Sequence, residues 1–237
     1  MKKLWQKNEV TFAILWIAAY VVLFSLADGL SEASGIPQLY TMFLCPVMVA
    51  VLIGFIHKNK LMEYYGLCPV QGSLKSYLYF LPLILISTCN LWNGLAMPEN
   101  LLKALPSAVT MAVAGLVEEL IFRGLLFKAM YKDNQKAAII VGSLTFGMGH
   151  IVNLLNGAPL LDTLLQIAYA AAIGYLFIVI FLKSGSILPC IVAHCFINGI
   201  SIFGRDAGDL FNIITALVLV IVPVAYALWL ERKGKAA

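Results

Sequence analysis

Val117-Glu118-Glu119-Leu120-Ile121-Phe122-Arg123-Gly124 sets three ionisable side chains inside an otherwise almost wholly apolar run, 106–127. An ionisable group at mid-span costs at least about 2.5 to 3.5 kcal/mol on membrane-insertion scales, so it faces a protein interior or cavity and marks function. The run is one of eight apolar stretches between polar breaks, the others being 10–27, 39–56, 76–92, 137–155, 160–182, 187–203 and 210–230. Each approaches the roughly 20 residues that a transmembrane helix needs. Composition agrees: of 237 residues 62% are hydrophobic and 12% charged, against about 25% charged in an average soluble domain. Eight spans in this length leave no room for a separate soluble domain. The predicted fold is all-α, a polytopic integral membrane protein of about eight transmembrane helices forming a single domain over 1–237.

Lysine and arginine set the expected orientation, because short cytoplasmic loops carry an excess of both. With the N-terminus in the cytoplasm, Lys2, Lys3, Lys7, Lys58, Lys60, Lys75, Lys128, Lys132, Lys136, Lys183, Arg232, Lys233 and Lys235 fall inside, and Lys103 and Arg205 outside. An even number of spans with both termini cytoplasmic satisfies this bias, which an odd number would break. The outer loops carry Asp28, Glu32, Glu99, Asp162, Asp206 and Asp209. The expected location is a multi-pass one, in the plasma membrane if the source is bacterial. The first partner is the lipid bilayer, and the dispersed net charge of +4 argues against nucleic acid. The run at 10–27 exceeds a usual signal-peptide core and reads as a retained signal anchor. Cys45, Cys68, Cys89, Cys190 and Cys195 form no CxxC pair and read as reduced thiols. The runs touching Pro46, Pro82 and Pro223 are expected to kink, and the connection at 57–75 reads as an interfacial loop.

The chemistry-bearing residues cluster in three spans. Glu119 and Arg123 are four residues apart and pair on one helical face in the favourable carboxylate-first order. Glu118 is rotated by about 100° and has no such local partner. Two carboxylates against one guanidinium leave a negative charge that a low-dielectric site holds only with a proton, a metal or another cation. A carboxylate so placed can take and return protons as a general base. His57 sits in a loop. His150 follows Phe146 at i, i+4, and His194 precedes Asn198 at the same spacing, so imidazole and carboxamide share a face. A rise of about 1.5 Å per residue from the lysine ending each span places Glu118, His150, His194 and Asn198 roughly 15, 21, 16 and 22 Å deep. They fall in one layer, despite the alternating directions of their helices.

In these residues the chain resembles the CAAX-protease and bacteriocin-processing family of intramembrane proteases, which includes the type II CAAX prenyl endopeptidases. The family motifs EExxxR, FxxxH and HxxxN are matched by Glu118-Glu119 with Arg123, by Phe146 with His150, and by His194 with Asn198. The likeness covers about 107–200. It implies an endopeptidase cleaving near the cytoplasmic leaflet, with Glu118 activating water, His150 assisting proton transfer, His194 and Asn198 stabilising the oxyanion, and Glu119 with Arg123 orienting the site. The implied partner is a peptide or protein substrate, lipidated or not. Two cofactor states satisfy the charge arithmetic. A divalent metal such as zinc could sit on Glu118, His150 and His194 with an open water position, or a proton could replace it in a metal-free Glu/His mechanism. Ala112, Ala114 and Gly115 are expected to let helices approach closely beside the site. Readings from other classes are a proton-coupled transporter, since intramembrane Glu, His and Arg also build proton relays, and a non-catalytic scaffold or bacteriocin immunity protein.

Overall fold

The computed structural model describes residues 1–70, 72, 80–205 and 208–233. The start of the expected third span, at 76–79, lies outside them, as do Lys75, Asp206 and Lys235.

Local sequence sets the helix ends. After a first helix α1 (Lys2–Lys7), the side chain of Asn8 accepts from Thr11 N at 2.8 Å and opens α2 (Glu9–Ser34), which Gly35 ends with a φ of 74°. These are the N-cap and the left-handed C-terminal glycine that helix ends favour. Helix α3 (Leu39–Lys58) continues through Pro46, whereas Pro82 lies in the first turn of a short α4 (Leu81–Ser87). There its missing N–H costs no bond. A single 3-10 turn, Cys89–Leu91, follows. Helix α5 (Leu101–Glu119) runs into a π-helical stretch, Leu120–Phe127, and then α6 (Lys128–Tyr131). Helix α7 (Gln135–Gly149) is capped by Asn134 and followed by one turn, α8 (Val152–Leu155). Helices α9 (Leu160–Ser184), α10 (Leu188–Ile200) with a 3-10 turn over Ser201–Phe203, and α11 (Asp209–Arg232) complete the fold.

Among the described residues six helical segments are long and apolar enough to cross a membrane. They correspond to six of the eight apolar runs. The other two runs hold shorter elements, α4 and α10, and each stops where glycine or asparagine follows: Asn90, Asn93 and Gly94 after α4, and Gly199 and Gly204 around the end of α10. The protein is a multi-pass integral membrane protein. Leu26, Phe43, Val47, Ile84, Leu217 and Ile221 are each more than half exposed, an apolar surface that a soluble monomer would not leave open to water.

Contacts along the chain sort the helix ends into two opposite groups. At one end, the N–H of the Trp5 indole donates to Tyr65 OH at 2.9 Å, Tyr64 OH donates to Glu9 at 3.0 Å, Lys132 pairs with Glu9 at 2.6 Å, and Ile187 N donates to Gly66 O. Burial and Glu9 push the Tyr64 phenol well above its usual range. The connection read as an interfacial loop is therefore built into the bundle, with Tyr65 fully buried. Lys58, Lys60, Lys128, Lys136, Lys183 and Arg232 belong to the same end. At the other end, Thr41 donates to Asp28, Ala96 N donates to Phe203 O, and Arg205 N donates to Gly94 O.

The core is assembled around the π-helical stretch, all eight of whose residues are buried. Val117, Leu120, Ile121 and Leu125 pack with Phe12, Leu52 and Ile56 from α2 and α3. A second cluster joins Leu176, Phe177 and Ile180 of α9 to Leu219 and Ala227 of α11. Helices α5 and α10 touch backbone to backbone: a Cβ on Gly115 would lie 2.9 Å from Cys195 N and 3.0 Å from the carbonyl carbon of His194. The small residues expected to permit close approach thus set the distance between the glutamate helix and the second histidine helix. Gly115→Ala is expected to destabilise the protein by about 1 to 3 kcal/mol, the usual range for overpacking. Gly29→Ala, with no heavy atom within 4 Å, should be neutral or stabilising by up to about 1 kcal/mol from helix propensity. Thermal unfolding in detergent distinguishes the two, and equal melting temperatures would contradict the contact.

Candidate active site

Five polar groups from four elements form a continuous chain of contacts. Glu118 and Glu119 close α5, Arg123 lies in the π-helical stretch, His194 is midway along α10, and Tyr20 comes from α2. Arg123 Nη1 is 3.0 Å from Glu119 Oε1, with both side chains fully buried. The same Glu119 oxygen accepts from His194 Nδ1 at 2.8 Å. The other ring nitrogen, Nε2, is 3.5 Å from Glu118 Oε2. Glu118 Oε1 in turn accepts from the Tyr20 hydroxyl at 2.6 Å. The imidazole is thus held between two carboxylates.

Phe146 is the common floor of this assembly. Arg123 Cζ sits 3.7 Å from its ring centroid and 5.4 Å from that of Phe177, and the rings of His150 and His194 meet it edge-on at 5.7 and 5.5 Å. A buried guanidinium on an aromatic face gains a cation–π attraction that grows with desolvation. Here that attraction carries much of the positioning, since the guanidinium nitrogens and Glu119 Oε2 have no well-directed hydrogen bond among the described residues. Gly174 leaves room for this stack: a Cβ there would lie 3.3 Å from both Arg123 Nη2 and the Phe146 ring. π-Helical turns often occur at functional sites, and this one keeps the i, i+4 contact of Glu119 with Arg123.

His150 and Asn198 belong to the same region by a different route. His150 follows the last residue of α7, so the expected continuous helix over 137–155 is interrupted at this position. The interruption follows Gly147 and Gly149, which weaken a helix interior. The ring still meets Phe146. His150, His194, Asn198 and Phe146 line one cavity of about 540 Å³. Sequence reasoning did not find Tyr20. It lies in an apolar run with no polar neighbour one turn away, and tyrosine is common in membrane helices. Nor did it find the service of Phe146 as a platform for Arg123.

Of the two cofactor states left open, the metal-bound one does not fit the donors as they stand. Among the described residues no three His, Cys, Asp or Glu side chains are placed to hold a metal ion. One ring nitrogen of His194 is taken by Glu119, and the other faces Glu118 Oε2 at 3.5 Å. All five cysteines are free thiols.

Removing one partner of a buried ion pair costs about 3 to 5 kcal/mol, because the other charge is left unpaired. Arg123→Met is expected to lose that much stability, and the double variant Glu119→Gln/Arg123→Met should recover part of it. Unfolding measured in detergent checks both, and a single variant as stable as the parent would show that the pair is not a constraint.

Residues 100–200 match the family model described as Rce1-like, type II CAAX prenyl endopeptidase Rce1-like. Neither the curated proteins nor the solved structures gave a match. The matched segment holds Glu118, Glu119, Arg123, Phe146, His150, His194 and Asn198, the residues of all three motifs, and over it the chain is similar to the type II CAAX prenyl endopeptidases.

Proposed function

We propose that the protein is an endopeptidase that hydrolyses a peptide bond of a membrane-associated peptide or protein by a metal-free mechanism, with Glu118 as the base. The observation that carries this reading is the pair of opposed contacts on Glu118. One oxygen is fixed by the Tyr20 hydroxyl, and the other faces a histidine that lines the cavity. A base held by one oxygen keeps a defined aim for the second, which general-base catalysis requires.

In this mechanism a water molecule at the cavity edge gives a proton to Glu118 as its oxygen attacks the carbonyl carbon. The carbonyl π pair moves onto oxygen, and the resulting tetrahedral oxyanion accepts hydrogen bonds from His194 Nε2–H and the Asn198 carboxamide. Preorganised donors of this kind, aimed at developing charge in a water-poor site, are typically worth about 10²–10³ in kcat each. Collapse of the intermediate breaks the C–N bond, and the departing nitrogen takes the proton from Glu118 directly or through His150. Glu119 holds His194 through Nδ1 so that Nε2 faces the reacting groups, while Arg123 on Phe146 keeps Glu119 in place. The motif-bearing core over 107–200 works as part of one domain, because Tyr20 comes from outside it.

The rival readings are separated by one substitution. In vesicles reconstituted with the protein and a membrane-peptide mixture, mass spectrometry should find new peptide termini that vanish with Glu118→Gln. Tyr20→Phe should lower kcat by about tenfold or more and also lower the melting temperature by a few degrees, since a single oriented hydrogen bond to a charged group is worth about 1.5 to 3 kcal/mol. Identical peptide profiles for the parent and Glu118→Gln would favour a scaffold or a transporter, and proton-coupled uptake into the same vesicles would identify the latter.

A further inference from the structure

A second hollow lies on the outer surface of the bundle, where α9 packs between α7 and α11. It holds about 560 Å³, within the roughly 300–1,000 Å³ typical of ligand pockets. Its floor is a stripe of small residues on α9, Ala168, Ala171 and Ala172, and its walls are aliphatic side chains such as Ile140 on α7 and Val224 on α11. Spacings of three and four put each stripe on one helix face. The other face of α9 turns Ala170, Ile173 and Phe177 into the cavity of the candidate active site, and the two hollows share no lining residue. Between them α7 rests directly on α9 at Gly147, where a Cβ would lie 2.5 Å from Ile167 O and 2.8 Å from Ala171 Cβ.

Charge is confined to one end of this groove. The three helices alternate in direction, so Lys136 at the start of α7, Tyr175 in α9 and Glu231 at the end of α11 gather at the same mouth. From there to Leu144 the groove runs along about 12 Å of α7. Ser143, the remaining polar residue of the lining, is satisfied within its own helix, its hydroxyl donating to Ile139 O at 2.7 Å. The Tyr175 hydroxyl hydrogen-bonds Glu231 and holds the carboxylate at the mouth. Lys136 and Glu231 are both exposed. The ion pairs among the described residues join other groups, Arg123 to Glu119, Lys132 to Glu9 and His194 to the two glutamates. One cation and one anion therefore stand at the mouth of an apolar groove without being paired to each other.

We propose that the groove holds one zwitterionic phospholipid with a primary amine, an acyl chain lying along the alanine stripe, the phosphate at Lys136 and the ammonium at Glu231. A phosphate oxygen accepts a charge-assisted hydrogen bond from the lysine, and a primary ammonium brings three N–H donors for a carboxylate to accept. A quaternary ammonium has no N–H to give, and its usual receptor is a cage of aromatic rings rather than a carboxylate. An anionic headgroup without an amine would set its phosphate beside Glu231 with nothing to offset the repulsion. The bound lipid braces α9 from the side opposite the cavity, and by binding the folded state alone it stabilises the bundle. Its occupancy depends neither on peptide hydrolysis nor on which face of the membrane is cytoplasmic.

Competition between headgroups tests it. The full chain in a nonionic detergent is incubated with an equimolar mixture of phosphatidylethanolamine, phosphatidylcholine and phosphatidylglycerol of identical acyl chains, and bound lipid is read by native mass spectrometry. The parent should retain phosphatidylethanolamine at about tenfold the level of either competitor, the worth of one hydrogen bond to a charged group. Equal retention of the three, or a preference for either of the others, would overturn the proposal. Glu231→Gln should bring phosphatidylethanolamine down to the level of phosphatidylcholine, and Lys136→Gln should lower the retention of all three. Ala168→Trp, which fills the floor of the groove, should remove the bound lipid, and an undiminished preference in this variant would overturn the location. Soluble phosphorylethanolamine at the same concentration should leave the lipid in place, and its displacement would show that the headgroup binds without the groove. If Glu231→Gln fails to fold, Tyr175→Phe carries that arm: the preference should fall, and an unchanged preference would overturn the role of the carboxylate.

Discussion

A guanidinium and a carboxylate, both wholly removed from solvent, form the constraint around which the rest of this bundle is arranged. Each alone would be prohibitively costly in a low-dielectric interior, and together with a second glutamate they still leave one negative charge. His194 is drawn into contact with both glutamates, which fixes the rotation of α10. That rotation in turn requires the two helix backbones to touch, and Gly115 is the residue that allows it. Phe146 receives the guanidinium on its face, which fixes α7, and Gly174 clears the space beside that stack on α9. Four helices are thereby oriented through one buried charge network, and the apolar clusters fill in around it.

The segments outside the family-like core contribute in an unequal way. Helix α2 supplies the hydroxyl that holds Glu118, so the catalytic constellation proposed here is not contained in the segment that carries the motifs. The Trp5–Tyr65 and Glu9–Lys132 contacts tie the N-terminal helices to the connection after α3 and to the end of α6. Those ties hold α2 in the register that brings Tyr20 to the glutamate. The remaining helices close the bundle: α9 packs between α7 and α11, and α11 forms one wall of the cavity.

Much of this was legible in the amino-acid order, for reasons that differ by residue. Charges in an apolar run are costly enough that Glu118, Glu119 and Arg123 had to face inward, and i, i+4 spacing was enough to pair the last two. The eight apolar runs gave the helical elements, because burial in lipid leaves little else that can make them. Tyr20 was illegible, since a tyrosine in an apolar helix satisfies its hydroxyl in many ways and no local spacing singles one out. The cavity was also illegible, because its wall is assembled from single residues on segments far apart in the chain.

The π-helical winding of Leu120–Phe127 has a consequence for how this chain can change over evolutionary time. A wider turn is, in effect, extra chain accommodated within a helix without displacing its ends. Losing a single codon there would let the segment relax to ordinary winding, swinging Arg123 and everything after it around the axis relative to the two glutamates. Insertions and deletions of one residue, harmless in a surface connection, would act here as a change of phase between the two halves of the site. Divergence in this stretch should proceed by substitution, with its length held constant.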